Sequence, residues 1–174
     1  AEFNGGASIF AYHVNDPQHY GVVEFDAQGQ AISLQEKPAQ PRSNFAVPGV
    51  YLYDHHVVEM ARQLTPSSRG ELEITDINQN YLNRGQLRVI RMSRGSVWLD
   101  SGTSSSLHDA SAYVQTIEKR QGVKLGCPEE AALHRGFISQ MDFEKLVAAL
   151  PDCEYRDYLR SVATGVGRVG FPSA

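Results

Sequence analysis

No long run of lysine and arginine occurs in the sequence, and the net charge is -4 over 174 residues. Nucleic acid and anionic membranes both require a cationic footprint, so neither is an expected partner. No apolar stretch approaches the roughly 18 residues of a membrane span, and no secretory leader pattern is visible. Cysteine is nearly absent. Cys127 and Cys153 stand far apart in no metal-type spacing, which predicts free thiols in a reducing, cytoplasmic setting. The histidines show no ligand spacing with cysteines or acids, and there is no P-loop and no nucleophilic triad. What is present is ordinary for a globular chain: 41% hydrophobic and 21% charged residues, enough for one good core.

The most informative stretch is Gly29 to Pro38, GQAISLQEKP. Ile32 and Leu34 alternate with Ser33 and Gln35, the two-residue period of a strand with one buried face. Glu36 continues the Ile32/Leu34 side, which puts a carboxylate on the apolar face where the strand ends. Pro38 is expected to hold Lys37 extended and to stop the ladder. A Glu and a Lys facing opposite ways at a strand end can grip a polar, anionic ligand; they can equally fray into solvent.

Elsewhere the pattern alternates strands and helices. ASIFAYHV from Ala7 reads as a strand, and Val22–Phe25 forms a hairpin with the stretch above. Residues 38–48 read as a polar loop, and Gly49–Tyr53 as a strand. Asp54 is placed to cap a helix with Val57, Met60, Ala61 and Leu64 on one face. Thr75 is placed as the N-cap of a short helix with Ile77 and Tyr81 inward. Leu87–Met92 and Val97–Asp100 read as strands. From Ser104 the pattern is helical, with Leu107, Ala110, Val114 and Ile117 on one stripe. Pro128 opens a helix, Ser139 with Asp142 resembles a capping box, and a last helix runs near Glu154–Val162. The expected division is an α/β part over 7–121 and a helical segment over 122–164, with residues 1–6 and 165–174 loose.

Asp100 ends an apolar stretch and meets Ser101-Gly102-Thr103. A carboxylate there suits Mg²⁺, which takes one or two carboxylates plus phosphate oxygens. It also suits a cap for the helix from Thr103. Trp98 reads as core or as a ligand platform. Tyr20-Gly21 either starts a strand or lets backbone amides approach a ligand. The charged run Arg69–Asp76 reads either as a solvated face with caps or as a binding segment.

Taken together, YGVVEFD, ISLQEKP, VPGVYLYD, RGELEITDIN and VWLDSGT, in this order and spacing, resemble the C-terminal part of bacterial glucose-1-phosphate thymidylyltransferase, a sugar-phosphate nucleotidyltransferase. CPEEAALHRGFIS resembles that family's short helical tail. The resemblance implies a Rossmann-like mixed sheet between helices and synthesis of dTDP-glucose and pyrophosphate from dTTP and glucose-1-phosphate. It implies that Tyr20, the backbone at Gly21 and Val47, and Glu36 hold the sugar, that Lys37 binds its phosphate as the catalytic cation, and that Tyr51 and Trp98 line the pocket. It implies that Asp100 is one of two aspartates on Mg²⁺. Arg94, Glu130 and Arg135 match regions that contribute to a regulatory nucleotide site between subunits, so a homo-oligomer is expected, with glucose-1-phosphate or a nucleotide sugar as ligand.

Two departures stand out. Pro48 lies where the family commonly has Thr, which removes a backbone donor beside the pocket. The family's GxGTRLxP-like loop, which binds the triphosphate, and the second metal aspartate do not occur in these 174 residues. The expected portion is therefore the sugar-phosphate and oligomerisation part; a non-catalytic binding or assembly module is the alternative.

Overall fold

The computed structural model describes residues 3–165. The chain forms two compact units that divide between Trp98 and Leu99. This division precedes the long helix at Ser104, whereas the sequence pattern had suggested one after Gln121. The readings that fall on residues 1–2 and 166–174 lie outside the described residues.

The first unit is built on β1 (Ala7–His13). Ile9 and Ala11 are fully buried, so this strand forms the middle of the core. β2 (Gly21–Phe25) and β3 (Ala31–Glu36) form the expected hairpin. Two strands then run antiparallel to β1 in succession. β4 (Phe45–Ala46) lies against Tyr12–His13, and β5 (Tyr51–Tyr53) lies against Ala7–Ile9. β4 arises inside the stretch read as a polar loop, because Ala46 is also paired with Val22 and is fully buried. β6 (Leu87–Arg91) pairs parallel with β1. The sheet is therefore mixed, as the α/β reading required. One cluster of Ile9, Ala11, Val23, Leu34 and Val47 fills the sheet. A second, with Ala7, Met60, Ile77 and Tyr81, joins it to α1 (Val57–Arg62) and α2 (Ile74–Asn83).

Several local expectations are corrected. Ile32 is 51% exposed rather than buried beside Leu34. Glu24 faces Ser33 and Phe25 faces Ala31, so Ile32 is the extra residue of a β-bulge, and the alternation breaks there. Lys37 is not extended: its φ is 40°, in the left-handed region. Its N–H is taken by the Tyr20 carbonyl at 3.0 Å, so the hairpin gains one more bond before the chain turns into Pro38. Such a conformation is costly for a non-glycine residue. Val97–Asp100 is not a strand. Thr75 is not an N-cap: Glu73 holds that position, and Thr75 lies inside the first turn of α2. Asp54 is a staple more than a cap. It accepts bonds from Gly6 N at 2.8 Å, His56 N at 3.1 Å and the Tyr81 hydroxyl at 2.7 Å. These hydrogen bonds hold its carboxyl below the usual range, the Tyr81 bond most of all.

The second unit is helical: α3 (Ser104–Gln121), α4 (Pro128–His134), α5 (Gln140–Ala149) and α6 (Glu154–Ala163). Phe143 and Leu159 are fully buried at its centre, with Cys127, Val147, Tyr158 and Val162 around them. The Ser139 cap is present, accepting from Asp142 N. α3 differs from its expected role. None of its residues is buried, and Leu107 is 53% exposed. Its ends are well made: Thr103 and Ser106 form a capping box and Gly122 closes it in the left-handed region. With little burial to hold it, α3 depends on these caps. Thr103→Ala should therefore lower stability by about 1 kcal/mol, measured as a drop in urea midpoint at unchanged slope.

Candidate functional site: a carboxylate pocket at the end of the hairpin

Gly21 and Glu36 are register partners at the open end of the β2–β3 hairpin. The Val47 N–H donates to the Gly21 carbonyl at 2.8 Å, so the loop after β4 is fastened to the same point. Across this floor the Glu36 carboxylate is held from two sides. The buried Thr75 hydroxyl donates to its Oε2 at 2.5 Å, and the Arg69 guanidinium lies 3.8 Å from its Oε1. Arg69 also pairs with Glu71 and Glu73, and the buried Glu73 accepts from the Ser67 hydroxyl at 2.8 Å. The run Arg69–Asp76 is thus neither a plain solvated face nor only a cap. Thr75 and Arg69 hold the Glu36 carboxylate directly, and Glu73 in turn pairs with Arg69.

Gly21 is glycine for a steric reason. A Cβ there would sit 3.1 Å from Thr75 Oγ1 and 3.2 Å from Glu36 Oε2. Tyr51 stands within the field of Glu36. Burial first, and then the Glu36 charge, push its phenol above the usual range, so it stays a neutral donor. Tyr51 stacks on Tyr53 at 5.9 Å, and the Tyr53 hydroxyl donates to Asn78 on α2. Pro48 is buried beside Val47, and its carbonyl accepts from Val50 N at 2.8 Å.

Of the residues expected at the site, the structure brings Gly21, Glu36, Val47 and Tyr51 to this floor. Lys37 follows Glu36, and its side chain is exposed. Tyr20 precedes Gly21 and packs its ring edge-on to Trp98, centroids 4.9 Å apart. Trp98 is half-buried, between the two readings made of it. Asp100 belongs to the second unit. It is exposed and accepts from Gly102 N at 3.3 Å, while Thr103 rather than Asp100 caps α3. Among the described residues, no group of three or more His, Cys, Asp or Glu is arranged to hold a metal. Asp100 accordingly fits as one carboxylate ligand and not as a complete cation site.

The three residues expected at a regulatory contact differ in environment. Arg94 and Arg135 are exposed, in the first and second unit respectively. Glu130 is buried: it accepts from the Tyr158 hydroxyl at 2.5 Å and lies 3.7 Å from His134 Nε2. A groove of about 920 Å³ in the second unit is lined by Ala110, Val114, Glu118, Val123, Lys124 and Tyr158 among others. No expected site residue lines it.

The profile of the nucleotidyl transferase family matches residues 1–117, more than half the chain. The chain belongs to the nucleotidyl transferase family. It is 54% identical over 158 residues to glucose-1-phosphate thymidylyltransferase of Mycolicibacterium smegmatis, a match covering 91% of this chain and 55% of that protein. It is 49% identical over 158 residues to the enzyme of the same description from Xanthomonas campestris, covering 91% and 54%. The chain thus spans about half the length of the curated relatives it matches. A crystal structure described as a putative glucose-1-phosphate thymidylyltransferase from Bacillus anthracis in complex with a sucrose aligns with a TM-score of 0.57 at 44% identity, over 63% of this chain and 44% of that one. UDP-glucose pyrophosphorylase, solved with UDP-glucose, aligns at 0.55 with 20% identity over the same shares, which extends the likeness of fold. In this nucleotidyl transferase chain, the site residues that sequence reasoning missed are Arg69, Glu73 and Thr75; RGELEITD carries part of the resemblance, but its one assigned role was Thr75 as a helix cap, and none of its members was placed at the site.

Among the described residues no helix is long and apolar enough to cross a membrane. Both cysteines are free, Cys127 buried and Cys153 exposed.

Proposed function

We propose that this chain carries the sugar-phosphate half of a glucose-1-phosphate thymidylyltransferase and binds glucose-1-phosphate, or the glucose end of dTDP-glucose, in the Glu36 pocket. The observation that carries the reading is the Glu36 carboxylate, fixed by Thr75 and Arg69 beside Gly21, Val47 and Tyr51, with Lys37 next in the chain. A carboxylate held in place by its own donors keeps lone pairs for sugar hydroxyls, and such a site rejects analogues lacking a hydroxyl. Gly21 and Val47 line the floor with backbone, the Val47 N–H being already given to the Gly21 carbonyl, and Tyr51 supplies a neutral phenol. The Lys37 ammonium, on its left-handed backbone, would take the phosphate and hold it for in-line attack on a nucleotide. Asp100 would be one ligand of Mg²⁺, which when bound would neutralise charge on the reacting phosphates.

The same reading assigns Arg94 and Arg135, each open to solvent, to regulatory nucleotide binding in a homo-oligomer, while Glu130 holds α4 to α6 within the second unit. A cytoplasmic place agrees with the two free thiols.

Calorimetry with glucose-1-phosphate tests the pocket: binding is expected, and its absence in a folded chain would leave the alternative of an assembly module. Because these 174 residues contain no glycine-rich triphosphate loop, dTTP, glucose-1-phosphate and Mg²⁺ together should give negligible pyrophosphate. Steady pyrophosphate release would overturn the half-site reading.

A further inference from the structure

Trp98 lies in a stretch with little backbone to hold it. Between Met92, whose N–H reaches the Ala11 carbonyl, and the cap at Thr103, the chain joins no strand. Val97 and Leu99 on either side of it are 43% and 40% exposed. Its indole nevertheless sits between two tyrosines. The Tyr20 ring meets it at 4.9 Å and 63°, and the Tyr12 ring at 5.9 Å and 78°, both edge-to-face. These separations lie in the range where aromatic pairs attract beyond their buried area.

The two tyrosines are themselves anchored to the carboxylate pocket. Tyr20 precedes Gly21, and its carbonyl receives the Lys37 N–H. Tyr12 lies in β1 opposite Ala46, the residue before Val47. The ladder that sets the pocket floor thus also sets both rings that grip the indole.

We propose that Tyr12 is a positioning residue, which acts on the sugar-phosphate site by fixing the Trp98 indole against Tyr20. The proposal rests on the sugar-phosphate reading above for its consequence on ligand affinity. Its first readout needs no ligand. Trp98 is the sole tryptophan, so its emission, excited where tyrosine is silent, reports on this one ring.

Tyr12→Leu should shift that emission to the red and weaken glucose-1-phosphate binding about 2- to 10-fold, the worth of one aromatic pair. Tyr12→Phe keeps the ring and should restore both. Emission unchanged in Tyr12→Leu overturns the proposal. So does a shifted emission with unchanged affinity in a chain whose parent binds the ligand. Should the parent bind no glucose-1-phosphate while the emission shifts and Tyr12→Phe restores it, Tyr12 still positions Trp98 and it is the sugar-phosphate reading that falls. If Tyr12→Leu does not fold, nuclear Overhauser contacts between the Tyr12 ring and the indole in the parent chain decide: their presence supports the clamp, and their absence overturns it.

Discussion

Glucose-1-phosphate should bind the Glu36→Gln chain about 10- to 150-fold more weakly than the parent, the cost of about 1.5–3 kcal/mol for one hydrogen bond to a charged group. The amide keeps the volume of the carboxyl, so the pocket should not collapse. What changes is the bonding capacity. An ionised carboxylate only accepts; the Thr75 hydroxyl donates to it, and the Arg69 guanidinium 3.8 Å away balances its charge. An amide must turn its NH₂ toward one of these groups or toward the sugar hydroxyls it is meant to receive. Gly21→Ala approaches the same group from the other side. Its methyl would stand 3.2 Å from Glu36 Oε2 and 3.1 Å from Thr75 Oγ1, so the pair must give way by a few tenths of an ångström. Weaker binding in both variants, by calorimetry, at near-parental urea midpoints would locate the effect in carboxylate placement. Parental affinity in Glu36→Gln would mean that the sugar does not rest on this carboxylate.

The parts of this pocket differ in how far they could be read from the sequence. Glu36 and Gly21 were legible because strand alternation is a local signal, and the turn at Asp26–Gly29 makes the hairpin that brings them opposite each other. Thr75 was not legible as a pocket residue. Its partner is 39 positions away, and a threonine before a helical pattern reads as a cap on local grounds. The run holding Arg69 leaves a solvated face and a binding segment equally open in the sequence, and only the fold shows three carboxylates around this guanidinium. Ile32 was misplaced for a related reason. A bulge is a property of two strands in register, and one strand alone cannot reveal it. Lys37 defied the rule for residues before proline because a tertiary bond, to the Tyr20 carbonyl, outweighs the local preference. The α3 stripe had the right period, yet none of its residues is buried, which shows that amphipathicity marks a face without naming what covers it.

In the second unit the largest effect is expected at Tyr158. Its hydroxyl donates to the buried Glu130 carboxylate at 2.5 Å and joins α6 to α4. Tyr158→Phe removes that donor and leaves the carboxylate buried, with His134 Nε2 3.7 Å away. The expected loss is about 1.5–3 kcal/mol in urea or thermal unfolding near neutral pH, for a charged hydrogen bond removed from the interior. The same pair gives a signature in base. Burial first, and then the Glu130 hydrogen bond, push the Tyr158 phenol from its usual 10 up to about 12. The neutral phenol is therefore favoured by the folded state. Below pH 10 both states keep the proton, and its contribution is fully present. Above pH 10 the unfolded chain releases the proton first and the folded chain retains it, so stability falls as pH rises toward 12. Tyr53, Tyr81 and Tyr155 are also raised, so every variant should lose stability in base. The difference between the parent and Tyr158→Phe isolates the one phenol: it should be constant below pH 10 and shrink between 10 and 12. A difference that stays constant across that window would show that Tyr158 supports α6 by packing alone, with its hydroxyl contributing nothing to the hold on Glu130.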